Sequence, residues 1–292
     1  MDLNFKKISI IGLGLIGTSI LHAIKAKDED EKVTFAYDIN PKHRQIVSKM
    51  KIATFVCDDI KDTVRDADLV ILAVPVGSMK TVANLIAPFL KKNSIVTDTG
   101  STKGSVINDI NPYIPDNVHF IPSHPLAGTE YSGPEAGFSS LFENRYWLIV
   151  HDKKTNETKK LIKFFEKLGS IVEIVNTEYH DKILAITSHL PHLIAYTIVG
   201  TASDLETDLK KDVIKFSASG FRDFTRIASS DPIMWRDIFL NNSDAILEML
   251  QRFNEDLSDL QKAIRKKDGD KLYSFFSRTR SIRKKIIDAG QI

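Results

Sequence analysis

The first 175 residues alternate short apolar runs, rich in Val and Ile, with longer segments whose apolar residues recur at helical spacing. Continuous apolar runs of this kind are typical of strands that are covered on both faces. Strands are predicted at residues 7–11, 33–37, 69–74, 95–98, 118–121, 146–150 and 171–175. Helices are predicted between many of them, at residues 15–25, 41–50, 78–89, 103–110 and 157–168. The alternation indicates βαβ units and a mostly parallel sheet.

The pattern changes after about Asn176, where the strand signals stop. Asp231 and Pro232 are a typical helix start, and Gly290 follows the last basic turn as a typical helix stop. The sequence therefore predicts an α/β domain at 1–176 and an all-helical domain at 177–292. The helices of this second domain are predicted at residues 179–200, 205–216, 232–254 and 257–287.

Composition narrows the class of protein. The 292 residues carry 40 basic and 38 acidic side chains, a net charge of +2 that argues against nucleic acid as the main partner. The single cysteine, Cys57, excludes an internal disulfide and is compatible with the cytoplasm. The apolar run after Lys7 could pass for a signal peptide, but its three glycines fit a strand leading into a helix better. No other apolar stretch approaches the ~18 residues of a membrane span, so no membrane association is expected.

A glycine motif follows the first predicted strand. Gly12, Gly14 and Gly17 form G-x-G-x-x-G and open the first predicted helix. In this context the first glycine permits a tight turn, the second lets a pyrophosphate approach the backbone, and the third lets the helix pack on the strand. The phosphates would lie at the helix N-terminus, beside Leu15 and Ile16. A glycine turn that binds nothing is the weaker alternative.

An acidic residue follows at the distance that this motif requires. Asp38 ends the second predicted strand, where a carboxylate accepts hydrogen bonds from the ribose 2′-hydroxyl of NAD and repels the 2′-phosphate of NADP. His43 and Arg44 come later and are expected to face solvent. Pro75 and Thr99 follow the ends of two further strands, where ligands bind in open α/β sheets. Both are predicted to line the cofactor cleft, although Pro75 suits a simple strand end equally well.

Two loops after strand ends carry candidate chemistry. Ser101 lies in D-T-G-S-T-K and His124 in S-H-P-L-A-G-T-E. Both loops are expected on the cofactor side of the sheet. A histidine is a good candidate base there, because its ordinary pKa is near 6.5.

Further candidates lie in the helical region. His189 and His192 are one turn apart in S-H-L-P-H, and Pro191 should kink that helix. Capping or core histidines are an even alternative, and a three-histidine zinc site with His124 is conceivable but unsupported by other residues. Arg222 and Arg226 follow, and guanidinium groups suit bidentate carboxylate binding, with an intrahelical salt-bridge lattice as the alternative. Together these residues suggest a dehydrogenase that acts on a carboxylate.

Taken in order, the motifs resemble the prephenate/arogenate dehydrogenases, the TyrA family of tyrosine biosynthesis. The resemblance runs from residue 8 to about 242 and includes G-F-R-D-F-T-R-I-A and S-D-P-x-M-W. It implies a Rossmann-like domain followed by a helical domain that forms a homodimer. It also implies oxidative decarboxylation of prephenate with hydride transfer to NAD, without a metal.

The resemblance also implies roles for the candidate residues. His124 would accept the hydrogen bond of the ring hydroxyl, and Ser101 would bond the same hydroxyl. Arg226 would hold a substrate carboxylate, and Glu130 would pair with Arg222 or Arg226 and gate access. The other residues implied to line the substrate pocket are His189, His192 and Trp235, the last with a core role as an equal alternative.

The substrate, its regulation and the class of protein each have an alternative. Prephenate is favoured over arogenate, and dual use is an alternative. No chorismate mutase segment precedes the glycine motif and no ACT domain follows, so tyrosine inhibition is expected to act at the active site. A β-hydroxyacid dehydrogenase is a rival enzyme class, disfavoured because the segment after residue 179 lacks that family's glycine pattern. A non-enzymatic NAD-sensing regulator is the remote alternative, since it would not need Ser101, His124 and Arg226 together.

Overall fold

The computed structural model describes residues 5–27, 32–151, 155–204, 212 and 215–288. It divides into two compact units, Met1–Ser243 and Asp244–Ile292. Most of the helix predicted at 205–216, and the predicted stop at Gly290, lie outside the described residues.

A parallel sheet organises the first unit. Its strands follow the order β3-β2-β1-β4-β5-β6, and every pair is parallel. The chain reverses its direction of winding between β1 and β4, which is where open α/β sheets bind ligands at the carboxyl ends of their strands. The strands are β1 (Lys7–Ile11), β2 (Val33–Tyr37), β3 (Phe55–Val56), β4 (Leu69–Leu72), β5 (Ile95–Asp98) and β6 (His119–Phe120).

The apolar runs are continuous because both faces of this sheet are buried. Ile8 and Ile10 of β1 pack in one hydrophobic cluster, whereas Val70 and Leu72 of β4 pack in the cluster on the other face. All four side chains are fully buried, and burial of each stabilises the folded state by roughly 1.5–3 kcal/mol. The covering helices are α1 (Leu15–Lys27), α2 (Pro41–Met50), α3 (Ile60–Val64), α4 (Met79–Ile86), α5 (Gly104–Ile110) and α6 (Asn156–Lys167).

A second, three-stranded sheet corrects the sequence prediction. The strands predicted at 146–150 and 171–175 form as β8 (Tyr146–Val150) and β9 (Ile171–Val175). However, β8 pairs with β9 and with β7 (Ser123–Pro125), and neither joins the parallel sheet. The β7–β8 pair is antiparallel, with His124 opposite Leu148. The expectation that His124 lies in a loop was therefore wrong. A three-residue strand containing His and Pro carries no pattern that predicts it.

The helices after β9 bring the remaining site residues together. The first is interrupted: α7 (Thr177–Leu184) continues through a π-helical turn, Ala185–His189, into α8 (Leu190–Ser203). Pro191 has no N–H to continue the α-helical ladder, which accounts for the π-helical turn just before it. The predicted kink itself stays a prediction. The helices α9 (Ser219–Thr225) and α10 (Pro232–Asn241) complete this unit. The predicted cap is confirmed, because Asp231 accepts a hydrogen bond of 2.8 Å from the Met234 N–H.

The second unit is a pair of long helices, α11 (Ser243–Arg265) and α12 (Gly269–Asp288). The predicted helix boundaries in this region, 232–254 and 257–287, were wrong. The breaks between helices lie at Asn242 and at residues 266–268, not at residues 255–256. Their exposed apolar side chains, including Leu257, Ile264 and Phe276, are unusual for a free surface.

Among the described residues, one continuous helical stretch, Thr177–Ser203, is long and apolar enough to cross a membrane by length and composition. This corrects the prediction that only the N-terminal apolar run is long enough to resemble a membrane segment. Core helices of soluble proteins meet the same test, and 28% of the apolar window of this stretch is buried.

Candidate active site

The three glycines of the turn have different surroundings. At Gly14 the backbone is open to a ligand, whereas Gly12 and Gly17 pack tightly against neighbouring backbone. Gly12 has φ +97°, and a Cβ there would lie 2.2 Å from the carbonyl oxygen of Ala73. A Cβ on Gly17 would lie 1.9 Å from the carbonyl oxygen of Gly12. A Cβ on Gly14 would meet no described atom within 4 Å, so the backbone there is open to a ligand. These residues fit a dinucleotide pyrophosphate at the N-terminus of α1.

Asp38 lies beside this turn. Its carboxylate accepts hydrogen bonds from the N–H of Leu13 at 2.7 Å and of Asn40 at 2.8 Å, and His43 Nδ1 lies 3.3 Å away. Two carboxylate oxygens can accept about four hydrogen bonds, which leaves capacity for a ribose hydroxyl. The expected exposure of Arg44 was wrong: it donates to the Asp38 carbonyl oxygen at 2.7 Å, and its side chain is 17% exposed.

The other predicted cofactor residues follow neighbouring strands. Thr99 follows β5, and its N–H donates to the Leu72 carbonyl at 3.1 Å. Pro75 is exposed after β4 and precedes a short 3₁₀ turn. α10 packs on this turn, because a Cβ on Gly77 would lie 2.6 Å from the Asp237 carboxylate. The helix that carries Trp235 is thus held against the carboxyl end of β4.

A buried ion pair fixes the loop that carries Ser101. The Lys103 ammonium bonds the Asp98 carboxylate, and both side chains are fully buried. Lys103 also donates to the Ser123 carbonyl at 2.8 Å, and the Asp98 carbonyl accepts from the Ser123 hydroxyl at 2.8 Å. The half-buried Ser101 lies between the two ion-pair residues, and Ser123 precedes His124. These bonds hold the Ser101 loop against the strand that carries His124.

His124 belongs to a chain of side-chain hydrogen bonds that the sequence analysis missed. Its Nδ1 lies 3.0 Å from Nε2 of His180, and Nδ1 of His180 lies 2.8 Å from the Asp181 carboxylate. Asp181 also accepts from the N–H of Lys103 at 2.7 Å and of Gly104 at 2.8 Å. The hydrogen bonds from His180, Lys103 and Gly104 hold the Asp181 pKa below its ordinary value in spite of burial.

This chain determines which nitrogen of each ring carries the proton. The Asp181 carboxylate is an acceptor only, so His180 donates from Nδ1 and its Nε2 is an acceptor. His124 therefore donates from Nδ1, and its own Nε2 carries the lone pair. Burial, followed by the nearby His180 and Lys103, holds the His124 pKa well below its ordinary value. His124 is thus a neutral acceptor at Nε2, as the implied role requires.

The helical wall of the site contains two more histidines and an indole. The His192 ring stacks on Trp235 with centroids 3.6 Å apart, and His192 Nδ1 donates to the Ser188 carbonyl at 2.8 Å. His189 is fully buried, and Asn242 lies 3.1 Å from its Nδ1. In the part of the chain that the structure describes, no group of three or more His, Cys, Asp or Glu residues is arranged to hold a metal ion.

Arg226 lies at the exposed side of this wall. It pairs with Glu130 at 2.8 Å, with side chains 57% and 24% exposed. Its charge also contributes to the lowered His192 pKa, after burial. Of the two arginines that were considered as partners of Glu130, the structure places Arg226 there. Arg222 is exposed on α9.

The fold and the site define a class: a dinucleotide-dependent dehydrogenase, with a glycine turn, a carboxylate beside that turn and a neutral histidine acceptor at one edge of the sheet. Comparison with known proteins specifies the family. Residues 21–174 match the family "Prephenate dehydrogenase, nucleotide-binding domain", and residues 176–278 match "Prephenate dehydrogenase, dimerization domain". The chain belongs to the prephenate dehydrogenase family, as the motifs implied, and is an NAD-dependent oxidoreductase with a small-molecule substrate.

Individual relatives agree with this assignment. The chain is 43% identical to cyclohexadienyl dehydrogenase of Zymomonas mobilis, covering 96% of this chain and 95% of the relative. It is 34% identical to prephenate dehydrogenase of Lactococcus lactis, covering 95% and 77%. The crystal structure of prephenate dehydrogenase from A. aeolicus with hydroxyphenyl propionate and NAD+ superposes with a TM-score of 0.90 at 30% identity, covering 98% and 100%. The match to the dimerisation domain supports a homodimer.

Proposed function

We propose that this enzyme converts prephenate to 4-hydroxyphenylpyruvate and carbon dioxide. The observation that carries the proposal is the hydrogen-bond chain from Asp181 through His180, which leaves His124 Nε2 as a neutral acceptor beside the Ser101 loop. A cyclohexadienol has a hydroxyl proton that must leave when its ring carbon is oxidised. His124 is suited to receive that proton.

The residues act in a defined order. Bound NAD supplies the acceptor for the hydride of the ring carbon that carries the hydroxyl. His124 Nε2 takes the hydroxyl proton while Ser101 donates to the same oxygen. The bond between the ring and its carboxylate then breaks, carbon dioxide leaves, and the electron pair enters the ring, which becomes aromatic. His124 returns its proton to the phenolate oxygen, so no net proton is gained or lost.

Arg226 binds the carboxylate of the pyruvyl side chain in this proposal. Its partly exposed guanidinium is paired with Glu130 and lies close enough to His192 for its charge to help lower the pKa of that ring, after burial. A planar guanidinium can form two parallel hydrogen bonds with a carboxylate. Because the side-chain carboxylate keeps its charge throughout the reaction, a cation there strengthens binding without opposing the chemistry.

The state of Glu130 favours the keto acid over arogenate. Arogenate carries an ammonium where prephenate has a keto group, and a free carboxylate would favour the ammonium. Glu130 is engaged by Arg226, so its charge is compensated. The relative from Zymomonas mobilis is named a cyclohexadienyl dehydrogenase, which keeps arogenate or dual use as the second candidate. We further propose a cytoplasmic enzyme, with any tyrosine inhibition competitive with prephenate because tyrosine shares the phenol and side-chain carboxylate of the product.

The test is the formation of reduced nicotinamide by purified enzyme given prephenate and arogenate separately, with NAD binding measured alongside. We expect turnover of prephenate, a kcat/KM for arogenate at least tenfold lower, and loss of turnover in His124→Asn with NAD binding retained. Preference for arogenate would transfer the assignment to the second candidate. No turnover of either substrate by a protein that binds NAD would overturn the enzyme function and favour the NAD-sensing regulator.

A further inference from the structure

Two buried N–H groups in the helical wall of the site have no hydrogen-bond partner among the described residues. They are Nε2 of His189 and Nε1 of Trp235, whose rings meet edge to face with centroids 6.1 Å apart. His189 is fully buried and Trp235 is 5% exposed. A buried donor without a partner costs about 1–3 kcal/mol, which suggests that a ligand completes it.

Asn242 determines which His189 nitrogen is the donor. The side-chain nitrogen of Asn242 donates to the Asp181 backbone carbonyl at 2.9 Å, and a carbonyl only accepts, so the amide orientation is set. The same nitrogen lies 3.1 Å from His189 Nδ1. Since an amide nitrogen only donates, Nδ1 must carry the lone pair. The proton of neutral His189 is therefore on Nε2.

The neutral form is the one present at physiological pH. Burial, followed by the nearby His180, lowers the pKa of His189 to about 4. A proton on Nδ1 would also face the N–H of Asn242. His189 consequently has the opposite tautomer to His124: it presents a donor at Nε2, where His124 presents an acceptor.

Asp181 connects the two arrangements. Its carboxylate orients His180 and, through it, His124, while its backbone carbonyl orients Asn242 and, through it, His189. One residue of α7 thus sets both the proton acceptor and the proton-bearing donor of the site.

We propose that Asn242 is a positioning residue which holds His189 as an Nε2–H donor, and that this donor binds the ring carboxylate that leaves as carbon dioxide. The inference rests on the proposed function. A group that loses its negative charge in the reaction is better held by a neutral donor than by a cation, because a cation would stabilise the charged ground state more than the transition state. The guanidinium of Arg226 suits the other, retained carboxylate.

The tautomer can be tested without turnover. In protein labelled with ¹⁵N-histidine, two-bond ¹H–¹⁵N correlations distinguish the protonated ring nitrogen of neutral histidine. We expect His189 to be protonated at Nε2 in the wild type and to show both tautomers in Asn242→Ala. The matched control is Asn241→Ala, which removes a neighbouring amide that bonds the Asp237 carbonyl instead. A wild-type spectrum with the proton on Nδ1, or an unchanged spectrum in Asn242→Ala, would overturn the positioning role.

The ligand can be tested by comparing two small molecules in the absence of NAD. Prephenate carries the ring carboxylate and hydroxyphenyl propionate lacks it. We expect His189→Leu to weaken prephenate binding about 10-fold to 100-fold, as for a hydrogen bond to a charged group, and to change hydroxyphenyl propionate binding less than about 3-fold. His189→Gln, which keeps an N–H near the Nε2 position, should restore most of the affinity. Equal loss for both ligands would reduce His189 to a structural role.

Failure of the two proposals can be told apart. If the wild type binds prephenate with this dependence on His189 but does not oxidise it, the proposed function fails and the carboxylate site stands. If the wild type oxidises prephenate and His189→Leu binds it normally, the carboxylate site fails alone.

Discussion

His124 Nδ1 lies 3.0 Å from His180 Nε2, and this contact makes the proton position on His124 depend on a second, fully buried histidine. Without His180, the ring of His124 is free to exchange tautomers and to turn. Molecules with the proton on Nε2 would then present a donor to the substrate hydroxyl.

We therefore expect His180→Leu to lower kcat by about 10-fold to 100-fold with little change in the KM for prephenate, as for an interaction that matters mainly in the transition state. His180→Gln offers an amide oxygen to His124 Nδ1 and should recover most of kcat. Steady-state kinetics of the two variants checks this. An equal loss of kcat in His180→Leu and His180→Gln, or a change confined to KM, would contradict the positioning role.

The lowered pKa of His124 predicts the acid side of the pH profile. Activity needs the neutral ring, which exists above the pKa and is lost as pH falls through it. Since burial sets this pKa well below 6.5, kcat/KM should stay level from pH 8 to pH 6.5 and fall only in more acidic solution. An inflection at or above 6.5 in the kcat/KM profile would show that the folded enzyme does not depress this pKa.

Most of the fold follows from the sequence, because the buried parallel sheet leaves a strong apolar pattern. Strands β1, β2 and β5 form at the predicted residues, and the cap at Asp231 is local. The second sheet could not be predicted from the sequence. Strand β8 has the same apolar pattern whether it pairs with β9 or with the parallel sheet. His124, Arg226 and Glu130 were recognisable from their motifs, although their roles remain predictions.

His180 and Asn242 were missed for a geometric reason. His180 and His189 are nine positions apart, which at about 100° per residue places them on opposite sides of an α-helix. The π-helical turn at Ala185–His189 widens the helix and alters that offset. Asn242 lies at the break between two helices that the periodicity merged into one, so nothing in the pattern marked it as part of the site.

Arg226 should act on binding rather than on turnover. We expect Arg226→Ala to raise the KM for prephenate at least tenfold with a smaller change in kcat, because the carboxylate proposed to bind there keeps its charge in the reaction. Arg222→Ala, on the preceding turn and exposed, is the matched control and should change KM by less than about 3-fold. An unchanged KM in Arg226→Ala would refute carboxylate binding by this residue.

Asp38 should control the choice of dinucleotide. Replacing it with Asn removes the charge that repels a 2′-phosphate, and Arg44 lies close enough to bond its backbone carbonyl. We expect Asp38→Asn to raise the KM for NAD and to lower the KM for NADP, so that the ratio of the two KM values changes at least tenfold. The double variant Asp38→Asn/Arg44→Ala should not gain NADP use. If the wild type already has the lower KM for NADP, the role assigned to Asp38 is wrong.

The ion pair between Lys103 and Asp98 should stabilise the fold only as a pair. Both side chains are fully buried, and burial lowers the pKa of Lys103 while the nearby Asp98 partly opposes this. Lys103→Met leaves a carboxylate in the interior without its cation, which costs about 3–5 kcal/mol. In Lys103→Met/Asp98→Asn no charge remains, and the Asn can still accept from the Gly100 N–H, so most of that loss should be recovered. Urea unfolding of the two single variants and the double variant measures the coupling. Additive losses would show that the two residues contribute independently, and the loop that holds Ser101 beside His124 would then owe its position to the Ser123 hydrogen bonds instead.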